Sequence, residues 1–87
     1  MKQTQQIFDH FGIEAQKIKL IEEMAELTVE LAKNKDDLKI MVEIADVSVV
    51  LDQIIDYYGR DIINDIRQGK IERTLERINS GYYEENK

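Results

Sequence analysis

The sequence predicts an all-α fold: a small bundle of about four helices in which two long antiparallel helices are central. Three observations point there. Apolar residues recur at helical spacing through most of the chain, no proline interrupts them, and the four glycines, at 12, 59, 69 and 81, fall as punctuation. At 87 residues the chain is expected to be a single domain spanning 1–87.

A first short helix is expected from about Gln3 to Phe11. Ile7, Phe8 and Phe11 lie on one side, and Gly12 is placed to cap it. The second helix spans about Ile13 to Lys33. Leu20, Met24, Leu27 and Leu31 form one stripe, with Ile18, Ile21, Ala25 and Ala32 beside it. Its other face carries Lys19, Glu22, Glu23, Glu26 and Glu30. Asn34–Asp37 breaks the pattern, and Asp36 or Asp37 is a natural N-cap.

The third helix, about Leu38 to Tyr58, is apolar almost all round. Such a helix must be covered on several sides. Its β-branched residues would suit a strand, but the segment is too long and has no breaker. Gly59 ends it, and Asp61 is expected to cap a fourth helix reaching about Asn79, kinked or interrupted at Gly69. The tail GYYEENK is expected to be loose.

Acidic residues exceed basic ones 18 to 12, for a net charge of −6. That balance disfavours a nucleic-acid polymer as partner, since such binding rests on neutralising phosphates. No stretch approaches the ~20 apolar residues of a membrane span, and MKQTQQIFDH lacks the basic flank and apolar run of a signal peptide. A cytoplasmic location is expected. With no cysteine there is neither a disulfide nor a thiolate metal site to support so small a core. The third helix therefore predicts at least a dimer, because the remaining helices are too few to cover it.

Two carboxylate pairs carry the chemistry. Glu23 and Glu26 are three apart on the second helix, as are Glu43 and Asp46 on the third, so each pair shares a face. Antiparallel packing would bring the pairs opposite one another. Four converging carboxylates repel unless a cation sits among them, and hard oxygen donors suit Mg²⁺ or Mn²⁺. Glu43 and Asp46 interrupt an apolar run, where an unpaired carboxylate is costly. Lys39 answers for Glu43 as an ordinary ion pair and leaves Asp46 unexplained. Glu23 and Glu26 alone read equally well as a solvated face.

The runs KLIEEMAEL (residues 19–27) and EIADVSVVL (residues 43–51) resemble the E-E-x-x-E … E-x-x-D signature of the MazG-like, all-α nucleoside triphosphate pyrophosphohydrolase superfamily. FGIEAQKIKLIEEMAEL is similar to its short phage-type members. The resemblance covers about Phe11 to Arg77 and implies hydrolysis of a nucleoside triphosphate to monophosphate and pyrophosphate. It implies Mg²⁺ ligands at Glu23, Glu26, Glu43 and Asp46, with Glu22 or Glu26 orienting water. Lys19 and Gln16 on the same face are candidate substrate contacts; a Lys19–Glu23 ion pair and a plain surface glutamine are the alternatives. Relatives carry a basic K-x-x-x-N-x-x-R-like segment, matched here by Lys70, Arg73 and Arg77, with Thr74 in place of the asparagine. Mixed surface charge is the alternative there.

His10 and the four tyrosines read as surface or packing residues. Two other classes compete. A di-iron or di-manganese bundle needs Glu-x-x-His pairs, and none occurs. A non-catalytic helical oligomerisation module of the same fold would treat the carboxylates as decoration. Family relatives of this length imply a homodimer or homotetramer.

Overall fold

The computed structural model describes residues 2–85, the last of them by its backbone alone. The chain is helical almost throughout, with no strand among the described residues: α1 is Gln3–Lys33, α2 Asp37–Tyr58, α3 Arg60–Asn79 and α4 Tyr82–Glu85. The all-α expectation is met. Within α1 the first two expected helices meet at a kink at Gly12, which is non-helical with φ 83° and ψ 167°, as the sequence predicts. Only glycine adopts that conformation cheaply, and it lets the chain turn and resume the helix at once. The bend brings Phe8 to Tyr57, with ring centroids 5.7 Å apart.

α1 closes at Asn34, a left-handed residue whose N–H donates to Glu30 O. Asp36 then caps α2, its side chain accepting from Leu38 N at 3.0 Å and Lys39 N at 3.3 Å. With only residues 34–36 between them, α1 and α2 fold back as an antiparallel hairpin. Gln16 on α1 bonds Gln53 on α2, and Lys17 sits 5.6 Å from the Tyr58 ring centre.

Gly59 ends α2 with φ 120°, its N–H donating to Ile55 O. α3 starts immediately at Arg60, so Asp61 is not its cap. It lies in the first turn, where its charge still favours the helix dipole. Arg60 secures this corner by binding both Asp56 and Asp52. Its guanidinium holds the Asp56 carboxyl below the usual carboxylate range. The expected break at Gly69 does not occur, and α3 runs through it. One exposed glycine costs a helix only about 1 kcal/mol, too little to stop this one. The tail is also more ordered than expected: Tyr82–Glu85 makes a helical turn, and Arg77 lies 4.9 Å from the Tyr82 ring centre. Residues 86 and 87 fall outside the described residues.

α1 and α2 pack along their length. α3 meets α2 at the corner but makes no approach to α1. The radius of gyration is 16.6 Å, against about 12 Å for a compact chain of this length. The accessible surface is 6971 Å², against roughly 5300 Å² for a folded monomer of this mass. Val50 is the one buried apolar side chain among the described residues, while Leu38, Met41, Val42 and Ile44 on α2 are exposed. No helix among the described residues is long and apolar enough to cross a membrane.

The Gly12 bend gives a direct test. A Cβ there would meet nothing within 4 Å, so Gly12→Ala adds conformational strain without a clash. The expected loss of stability is about 1–3 kcal/mol in a denaturant titration. An unchanged midpoint would mean that the bend is not fixed in solution.

Candidate metal centre and its cleft

The α1–α2 hairpin sets like against like. Gln16 faces Gln53, and the same register carries the acids of α1 to those of α2, seven residues after Gln16 on one helix and seven before Gln53 on the other. One carboxylate oxygen from each of Glu23, Glu43 and Asp46 lies within 4.8 Å of the other two. Glu26, exposed at the margin, stands beside Glu43 and interacts with it. The structure therefore brings three of the four expected ligands together, with Glu26 next to Glu43 at the margin.

Glu23 is 6% exposed. Its Oε1 receives Lys19 Nζ at 3.0 Å, and its Oε2 is buried with no hydrogen-bond partner. Glu43 Oε2 is also buried and unpartnered. Burial pushes the Glu43 carboxyl above its ordinary range, and the charges of Glu26, Asp46 and Glu23 push it further. The ordinary Lys39–Glu43 ion pair is not formed. Both residues border a shallow recess beside Glu30, but Lys39 has no salt bridge among the described residues.

Two buried carboxylate oxygens without donors, with a third carboxylate within 4.8 Å, call for a proton or a cation. The donor set is all oxygen and carries several negative charges, which fits Mg²⁺ or Mn²⁺ and suits soft metals poorly. Lys19, held by Glu23, is itself shifted upward in pKa by that carboxylate and stays charged.

Beside the cluster lies a cleft of about 590 Å³. Glu22, Glu23, Asp46 and Lys19 line it together with Gln16 and Gln53, and Ile7, Phe11 and Val50 supply apolar wall. Gln16 and Lys19, the expected substrate contacts on α1, both face this space. The expected contacts on α3 do not. Lys70 borders a separate apolar groove between α2 and α3, and Arg77 lies over Tyr82. Neither they nor Arg73 forms an ion pair with the acidic cluster among the described residues. His10 meets the edge of Phe11, and Tyr57 and Tyr58 pack on α1 and on each other.

Gln53 escaped the sequence reading. It is 3% exposed, the most buried polar side chain described. Its signal was spacing: Gln53 follows Asp46 by seven residues, as Gln16 precedes Glu23 by seven.

No protein-family model matches the chain, and no curated protein or solved structure shows significant similarity.

The cluster's electrostatics are testable without any substrate. Glu43→Gln removes one of the crowded charges, so in chelator it is expected to melt above the wild-type chain. Adding Mg²⁺ is expected to raise the wild-type melting temperature in a saturable way, and the Glu43→Gln variant's much less. A wild-type melting temperature indifferent to divalent ions would show that these carboxylates hold no metal.

Proposed function

We propose that this chain is a MazG-like nucleoside triphosphate pyrophosphohydrolase, converting a triphosphate to the monophosphate and pyrophosphate. The observation that supports it best is the pair of buried, unpartnered oxygens on Glu23 and Glu43, set with Asp46 at the edge of a cleft large enough for a small ligand. The E-E-x-x-E and E-x-x-D half-motifs lie where these residues meet.

In this reading Glu23, Glu26, Glu43 and Asp46 hold Mg²⁺, with Mn²⁺ as a substitute. The ion would supply positive charge for the polyphosphate and make water more acidic. The residues of the chain do the rest. Lys19 lies along the cleft beside Glu23 and offsets phosphate charge that the cluster alone would repel. Glu22 lines the cleft with no hydrogen bond or ion pair of its own among the described residues, and it orients the attacking water and accepts its proton. Glu26 is the alternative for that step. Gln16 and the apolar wall receive the nucleoside part.

The assembly belongs to the same proposal. The excess surface, roughly 1600 Å² per chain by comparison with a compact monomer, exceeds the ~800 Å² that each partner gives to a standard interface. The apolar groove bordered by Leu51, Ile54, Ile63 and Ile66 is part of that surface. A homodimer or homotetramer covers it. Since α3 makes no approach to α1, Lys70, Arg73 and Arg77 serve the site only when a second copy brings them there. Light scattering at micromolar concentration is expected to give at least the dimer mass; a stable monomer would remove those three residues from the site.

A non-catalytic oligomerisation module shares the apolar surface but leaves the orphaned carboxylates without purpose. Turnover separates the two. Purified protein with Mg²⁺ and a panel of ordinary, deoxy and damaged nucleoside triphosphates is expected to release pyrophosphate. Asp46→Ala should abolish release with helicity unchanged by circular dichroism. Failure to release pyrophosphate from any of them would sink the enzymatic reading.

A further inference from the structure

The buried glutamine pair has a polarity that the backbone dictates. Gln53 Nε2 lies 3.0 Å from the carbonyl oxygen of Val49. A carbonyl only accepts, so the amide nitrogen of Gln53 must face it and Oε1 must point the other way. That oxygen lies 2.9 Å from Gln16, which therefore has to turn its own Nε2 toward it. Gln16 Oε1 is the end of the chain. It takes no hydrogen bond from the described residues and is not sealed from the cleft, although the residue as a whole is 5% exposed. One backbone carbonyl thus fixes the orientation of two side chains and leaves an acceptor at the cleft.

We propose that Gln16 reads the base of a bound nucleotide, accepting a hydrogen bond from an amino or imide N–H through Oε1, and that Gln53 is the positioning residue that forbids its amide to flip. The ligand is the nucleotide of the preceding reading, on which this inference rests. Gln16 stands seven residues, two helical turns or about 10 Å, before Glu23 on the same face. A nucleotide with its phosphates at the carboxylates would lay its base beside the amide. Phe11 and Ile7 give that end of the cleft apolar surface for a base plane, and the Gly12 bend orients the segment that carries them.

A locked amide differs from a free one in what it rejects. A free glutamine rotates to offer either end, whereas this one offers only an acceptor. An N-methylated base edge leaves Oε1 of the largely buried Gln16 unpaired and forfeits that bond. A ligand without a base forgoes the contact altogether.

The test is equilibrium binding with Mg²⁺, which requires no turnover. Probes are the four ordinary nucleoside monophosphates, ribose 5-phosphate, and the monophosphate of 3-methyluridine beside that of uridine. The wild-type chain is expected to bind at least one nucleotide about tenfold more tightly than ribose 5-phosphate, the upper weight of one neutral hydrogen bond. In Gln16→Met that ratio should fall toward one. In Gln53→Met, Gln16 remains but can rotate, so the ratio should fall severalfold. Any penalty for the 3-methyl group should shrink with it.

Single changes strand a buried amide and risk misfolding. The double variant Gln16→Met/Gln53→Met removes both partners together, which is close to neutral for folding, and it should also lose the base preference. A wild-type ratio near one would overturn the proposal. So would a base preference that survives in the double variant, since the pair would then be only a tie between helices. Pyrophosphate release with the base preference intact in the double variant would sink this inference and leave the enzymatic reading standing. Base preference without any pyrophosphate release would do the reverse.

Discussion

The rest of the structure depends on the register between α1 and α2. It sets amide against amide at Gln16 and Gln53, and acid against acid at Glu23, Glu26, Glu43 and Asp46. A slip of one turn would place Glu23 against Val42 or Val50. A buried carboxylate would then keep only Lys19 of its own helix and lose the companions with which to share a cation. In the observed register the acids still repel, but they do so around one common volume. The glutamine bond, buried and two turns away, helps to hold the helices where that crowding occurs.

How much of this was legible in the residues varies with the physical signal. Periodicity gave the helices and their order, and the short polar break gave the hairpin, with Asp36 as its cap. Glu43 and Asp46 were legible because acids in an apolar run have few cheap explanations, whereas Glu23 and Glu26 read as ligands only beside them and through the family resemblance. Helix ends were harder. Gly12 and Gly69 look alike in sequence, yet only the first adopts a positive φ and interrupts the helix as expected, while the second stays helical. Gln53 was missed because a lone amide in an apolar helix announces nothing. It becomes meaningful only once the partner helix puts Gln16 across from it. For the same reason the α3 basic residues looked like part of the site: sequence spacing does not reveal that α3 makes no approach to α1.

Burial in this chain is inverted. The buried residues described are Gln16, Glu23, Gln53 and Val50, so three of the four are polar. The groups removed most fully from water are those that would hold an ion and a ligand. Large apolar side chains on α2, such as Met41 and Ile44, remain open. Such a hairpin gains little from its own interior. Its polar contacts contribute modestly at best, and its acids are unfavourable until neutralised.

Those two deficits have different remedies, and each affects the site. A divalent ion among the carboxylates would relieve the repulsion between the helices and let them close in the register that the glutamines favour. A second copy over the outward face of α2 would supply the hydrophobic burial missing from the interior, about 25 cal/mol for each Å² covered. On the proposed reading, ion and partner act on different faces of the same helix: Glu43 and Asp46 meet Glu23 of α1, while Met41 and Val42 stay exposed. α2 then couples assembly to metal binding through its own rigidity, since tilting the helix to suit one face moves the ligands on the other. An apolar exterior would in that case be as much a condition of the metal site as the carboxylates that form it.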